Sequence, residues 1–414
     1  MNSSLRRWLH ISFLNLLIVA FIGIILRYKI VFSLPFIDQK FLLHGHSHFA
    51  FSGWITQVMM VLLVQHLSQH KGESVFKKYR WLLYGNLISA YGMLIFFPLQ
   101  GYAFGSITFS TLSIINSYFF AIWYWKDLSS VTYKSPGHSW FKAALLFNVI
   151  SSIGPFLLAY MMANKIIHQN WYLAVVYYFL HFQYNGWFFF AGMGLLVSKL
   201  EKIISNSKQL KIVFWSFFLA CGPAYFLSTL WMSIPVFIYW IVIASAIAQF
   251  AGWLIFVKLI FKNKLAIKKD LSKEGRQLLL LSAIALTIKL LLQLGSTHPA
   301  LSQLAFGFRP IVIGYLHLVL LGVITIFILG YIFSMSLLAA GKYYLTGVWI
   351  FVSGIIINEI LLMTQGVAGL NYVIIPYINE SLLAAAIIMF SGIVVLNWNS
   401  YSPAGVFFRE TKTT

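Results

Sequence analysis

Five histidines fall inside long apolar stretches, where an imidazole has few ordinary uses. His44, His46 and His48 lie in LLHGHSHFAFSGW, His181 in YYFLHFQYNGWFFF and His317 in VIGYLHLVLLG. A neutral imidazole binds iron or copper and can carry a proton. An ionisable side chain at membrane depth is costly enough that it usually has a task. His44 and His48 are four residues apart and share a helix face. His46 points about 200° away from His44, so at most two of the three can face one cofactor. The bland alternative is that each histidine hydrogen-bonds a neighbouring helix. The single cysteine, Cys221, excludes an internal disulfide, a thiolate cluster and a C-x-x-C-H covalent haem site. Any metal ligands must therefore be histidines. The other six have surface or interface positions: His10 near the cytoplasmic end of the first helix, His66, His70 and His138 in cytoplasmic loops, and His168 and His298 in outer loops.

The elements that must hold these side chains are membrane helices. The chain of 414 residues is 60% hydrophobic and only 9% charged, far below the charge of a soluble domain. Apolar runs long enough to cross a bilayer recur throughout. They predict one polytopic membrane domain over 1–414 with spans at 9–27, 41–65, 81–98, 105–125, 140–162, 171–197, 211–230, 235–257, 277–296, 309–336, 344–364 and 382–398. Pro98, Pro136, Pro235, Pro310 and Pro376 sit at or near span ends, where a missing N–H is tolerable. Pro155 and Pro223 fall inside spans and read as kinks. The N-terminal apolar run is long for a signal peptide and lacks a small-residue cleavage site, so it reads as a retained first helix. No repeat of fixed period and no low-complexity tract is evident.

The net charge of +20 raises the question of nucleic acid, but its distribution points to a membrane. With the N-terminus inside, the cytoplasmic side collects 23 of the 29 Lys and Arg residues. Arg27, Lys29, Lys40, Lys165, Lys289 and Arg309 are the remainder. This sorting obeys the positive-inside rule and predicts both termini in the cytoplasm. The cytoplasmic lysines would meet anionic lipid headgroups.

In that topology the second, sixth and tenth helices all run inward from outside. His48, His317 and His181 then lie roughly 10, roughly 12 and roughly 15 Å below the outer ends of their helices. One slab of the outer half-membrane thus holds all the intramembrane imidazoles. Two histidines on separate helices can grip a haem from both faces, and His181 could hold a second metal or a propionate. Glu359 is the one acid placed within a span, and it could pair with Lys289. Arg309, at the outer mouth of the tenth helix, could meet a haem propionate or anchor the interface.

Twelve helices with histidines in the second, sixth and tenth resemble subunit I of the haem–copper oxidases, a family that includes nitric oxide reductases. Tyr315-Leu316-His317 resembles the family's H-x-H stretch, with tyrosine at the first position. His181-Phe-Gln-Tyr-Asn185-Gly186 is similar to the H-x-W-V-E-G run of nitric oxide reductases, with Asn185 in place of glutamate. His46-Ser-His48-Phe-Ala-Phe-Ser-Gly53 resembles the H-A-H-E-M-x-F-G run of the NnrS family. The resemblance implies an all-α integral membrane fold, a twelve-helix bundle of haem–copper oxidase subunit I type. It implies a non-covalent, b-type haem held axially by His317 and one of His44 or His48. It further implies copper or non-haem iron at His181, with His46. The seventh helix has no histidine and Tyr315 removes the active-site haem ligand, so the second metal site would be incomplete.

The expected function is electron transfer, or nitric oxide binding or turnover, without proton pumping. The setting is a bacterial-type inner membrane, with a cytochrome or quinol as electron donor and no nucleic acid. The alternative is a secondary transporter that moves protons or metal ions along the intramembrane histidines.

Overall fold

The computed structural model describes residues 3–204, 206–307, 309–337 and 342–401. They are almost entirely helical, with no strand among them. The long helical runs are helix 1 (Ser3–Val31), helix 2 (Gln39–Lys71), helix 3 (Ser74–Gln100), helix 4 (Phe104–Ser129), helix 5 (Gly137–Ala163), helix 6 (169–200), helix 7 (Ser207–Cys221 with Pro223–Thr229), helix 8 (Val236–Lys262), helix 9 (Lys273–Gly295), helix 10 (Arg309–Ser334), helix 11 (Lys342–Leu370) and helix 12 (Ile378–Tyr401).

Ten of these, among the described residues, are long and apolar enough to cross a membrane, and helix 7 makes eleven if its bent halves count as one span. Helix 6 has the length, but His181, Gln183, Tyr184 and Asn185 at its centre dilute its apolar character. The chain is therefore a multi-pass helical membrane protein. Large apolar side chains such as Ile88, Leu99, Ile122, Leu219 and Trp240 are more than half exposed, a surface suited to lipid rather than water.

Sequence signals place the ends. The Asp38 carboxylate accepts from Phe41 N–H at 2.8 Å to start helix 2, and Ser272 accepts from Gly275 N–H at 3.1 Å to start helix 9, both as N-caps. Pro136 and Pro235 are the cap residues of helices 5 and 8. Pro223 does break helix 7, by 47° after Cys221. Helices run past the expected spans because polar ends stay helical. Thus His66 and His70 belong to helix 2, not to a loop, and His138 lies in the first turn of helix 5. His66 and His138 are buried, which corrects their expected surface positions.

The described chain divides into two compact units, one of residues 1–68, 73–116 and 332–414, the other of 69–72 and 117–331. In the first, helix 2 is the core. Of its most apolar stretch 83% is buried, against 44% for helix 1, because Val58 to Val64 are apolar on every side. Apolar burial does not drive association in lipid, so close backbone approach matters more. Gly45 shows this. A Cβ there would lie 2.8 and 2.9 Å from the ring carbons of Pro98 on helix 3. Gly45→Ala is expected to cost about 1–3 kcal/mol by overpacking a rigid ring, read as earlier melting. Gly23→Ala is the contrast. Its Cβ would meet His46 Cε1 at 3.6 Å, ordinary contact, and the helix-propensity gain of about 1 kcal/mol leaves it neutral or stabilising.

Candidate functional site

The histidines of helix 2 divide between two faces, as the helical repeat requires. The His44 and His48 rings both pack on Tyr102, at 4.8 and 6.2 Å between centroids. His48 also stacks on Phe97 at 4.2 Å. The His46 ring turns the other way, against Gly23 of helix 1. His48 Nε2 pairs with the Tyr102 hydroxyl at 3.3 Å. His44 Nε2 is buried and makes no hydrogen bond among the described residues, an expensive state for an imidazole nitrogen unless something else binds there.

His317 lies in the other unit. Its Nδ1 donates to the Ile313 carbonyl at 2.8 Å. That bond puts the proton on Nδ1 and the lone pair on Nε2, the tautomer a metal-bound imidazole needs. Tyr315, two residues earlier, is hydrogen-bonded to Tyr184, which also bonds Ser228. Arg309 is the first residue of helix 10 and is exposed.

His181 is fully buried and differently employed. Helix 7 breaks after Cys221, which frees a backbone carbonyl. His181 Nε2 donates to that carbonyl at 2.8 Å. Its Nδ1 accepts from the Asn185 amide at 3.0 Å. Asn185 Oδ1 in turn accepts from Lys289 Nζ at 2.6 Å. Both ring nitrogens are therefore in use, and a metal could bind only by displacing one bond. Among the described residues no three His, Cys, Asp or Glu side chains are grouped to hold a metal ion. The bland reading, a histidine bonded to its neighbour helix, describes His181 well.

The expected Glu359–Lys289 pair is corrected. Lys289 takes Asn185 as its partner. Glu359 accepts from Asn358 at 3.2 Å, and Arg27 is the cation that acts on it. Sequence spacing could not choose among these, because each partner comes from a distant helix.

One feature unites the three histidine helices. Each carries a π-helical turn starting within two residues of its histidine: Ala50–Thr56 after His48, Phe182–Phe188 after His181 and Leu318–Thr325 after His317. No other π-helical segment occurs among the described residues. Each turn contains a glycine five residues past the histidine, Gly53, Gly186 and Gly322, so an H-x-x-x-x-G pattern recurs at intervals of 133 and 136 residues. The expectation of no repeat of fixed period is thereby corrected. The signal is a handful of residues on every fourth helix, too sparse to notice without the backbone.

Neighbouring helices supply donors to these turns. Asn15 of helix 1 donates to the Gly53 carbonyl at 2.5 Å, and Asn86 of helix 3 to the Ser52 carbonyl at 2.9 Å. Ser282 of helix 9 donates to the Val323 carbonyl at 2.7 Å. The Cys221 thiol of helix 7 points to the Asn185 carbonyl at 3.8 Å. Single π turns are frequent at functional sites, and here they set the direction of each imidazole relative to the rest of its helix.

No protein-family model matches this chain, and a search of curated proteins finds no match.

Proposed function

We propose that this chain is a haem-binding membrane protein of the haem–copper oxidase subunit I type, nearer to nitric oxide reductase or NnrS proteins than to a pumping oxidase. His317 is the observation that carries the reading: its Nδ1 hydrogen bond to Ile313 sets the ligand tautomer. The orphaned Nε2 of His44 supplies a second imidazole suited to an axial position. His317 with His44 or His48 would hold a non-covalent, b-type haem. Bound there, haem supplies one-electron chemistry. The chain's own part is to fix the imidazole tautomers and keep the site apolar, which tunes the potential. Copper or non-haem iron at His181 with His46 has less support, since both nitrogens of His181 are engaged. Electron transfer, with a cytochrome or quinol donor, is thus favoured over turnover of nitric oxide.

Twelve spans belong to the same proposal, with helix 6 as the sixth span and both termini in the cytoplasm of a bacterial-type inner membrane. Helix 6 is continuous from 169 to 200 and reaches roughly 48 Å at about 1.5 Å per residue.

The test is a visible spectrum of the purified protein, oxidised and reduced. A sharp reduced alpha band that depends on His317 supports the reading. The 47° bend in helix 7, beside a buried lysine, favours a second reading as a secondary transporter, because broken helices mark transporter binding sites. Absence of any chromophore, together with proton- or metal-dependent uptake into vesicles, would select that reading instead.

A further inference from the structure

We propose that the pocket around Lys289 binds a small monovalent anion of halide size. Lys289 is only 6% exposed, in the middle of helix 9. Its ammonium carries three N–H donors, and among the described residues its hydrogen-bond partner is Asn185 alone. That partner is neutral, and no carboxylate pairs with Lys289. A buried charge left so sparsely paired is costly.

Beside it lies a small cavity lined by Asn185, Phe189, Phe190, Phe217, Gln249 and Lys289. Its volume of about 10 Å³ is room for one water-sized occupant. Gln249 of helix 8 is 4% exposed, lines this cavity and makes no hydrogen bond to any described residue. A buried primary amide without a partner is rare in folded proteins. The two remaining ammonium protons and the amide N–H of Gln249 form a set of donors with no acceptor assigned to them. A water would bond to them but leave the charge uncompensated in hydrocarbon. An anion of similar size does both. The phenylalanine ring edges at the wall carry partial positive charge and suit an anion as well.

Two other titratable groups face this region. His181 is held by Asn185 and the Cys221 carbonyl, and the Cys221 thiol points to the Asn185 carbonyl as a donor. Neither offers a negative charge in this arrangement. The site does not depend on the haem reading and involves none of the proposed axial ligands, so either proposal can fail alone.

The experiment uses the full chain purified in detergent, with chloride or bromide exchanged for gluconate at constant ionic strength. A saturable, halide-specific rise in melting temperature is expected for the wild-type chain. Lys289→Met keeps the length, removes the charge and should abolish the rise. Gln249→Leu should weaken the apparent halide affinity about tenfold, and Cys221→Ser should leave it in place. Crystals soaked in bromide give a readout that does not rely on stability, with an anomalous peak expected within hydrogen-bond reach of Lys289 Nζ. A wild-type chain that melts identically in both salts, a Lys289→Met chain that keeps the response, or bromide absent from that position would overturn the assignment.

Discussion

The His317→Ala chain, purified and reduced, is expected to lack the sharp alpha band of the wild-type chain, with haem occupancy lower by about tenfold or more. Two axial imidazoles hold a low-spin iron, and removing one leaves the iron five-coordinate and the haem weakly held. The second ligand is expected to be His44. Its Nε2 is buried with no hydrogen bond, whereas His48 Nε2 has the Tyr102 hydroxyl at 3.3 Å and its ring is stacked on Phe97. His46 packs on the opposite face of helix 2, against helix 1. His44→Ala should therefore reproduce the spectrum of His317→Ala, while His46→Ala and His48→Ala keep the band. A wild-type chain without a chromophore, or a band unchanged in His317→Ala, would sink the haem proposal. A band lost in His48→Ala but kept in His44→Ala would move the ligand four residues along the same face without touching the rest.

The pattern of apolar runs was enough to read a polytopic helical fold, since a bilayer tolerates little else. The split of His44 and His48 from His46 was equally legible, because it follows from 3.6 residues per turn. Pro223 announced the break in helix 7. What followed from that break was not legible. His181 looked like a metal ligand because its spacing matched a motif. Its ring nitrogens are taken by the carbonyl that the break exposes on Cys221 and by Asn185 one turn along. Lys289 finds Asn185 across 104 residues of sequence, where no local pattern reaches. Helix ends misled in the other direction. Stretches such as Gln65-His66-Leu67-Ser68 are too polar to be read as membrane span, yet they continue helix 2 and bury His66. Hydropathy locates lipid-facing length and says little about where hydrogen bonding stops.

The π turn of helix 2 leads to a test that links stability to function. Asn15→Leu and Asn86→Leu each remove a donor from a buried carbonyl, at 2.5 and 2.9 Å respectively. Each is expected to cost about 1–3 kcal/mol. Asn86 also bonds Gln57 Oε1 at 2.8 Å, and Tyr91 donates to Asn15 Oδ1 at 2.7 Å. Each substitution therefore strands a second buried group, which places the cost in the upper part of that range. Ser52 and Gly53 are adjacent, so the two losses should couple rather than add. Asn371→Leu is the control. That side chain is exposed and bonds only its own helix at Val367, so its effect should stay within about 0.5 kcal/mol.

The double variant should melt well below the wild-type chain and exchange its amide protons faster around residues 54–57. A π turn holds one residue more than the α-helical ladder can seat. Relaxing it to α-helix would rotate His44 and His48 by about 100° relative to residues beyond Gln57. Both imidazoles would then leave the face they share with Tyr102. The alpha band should consequently fall in the double variant even though every histidine is intact, and Asn371→Leu should keep it. A double variant with wild-type melting and a full band would mean that the π turn neither needs these donors nor aims the ligands.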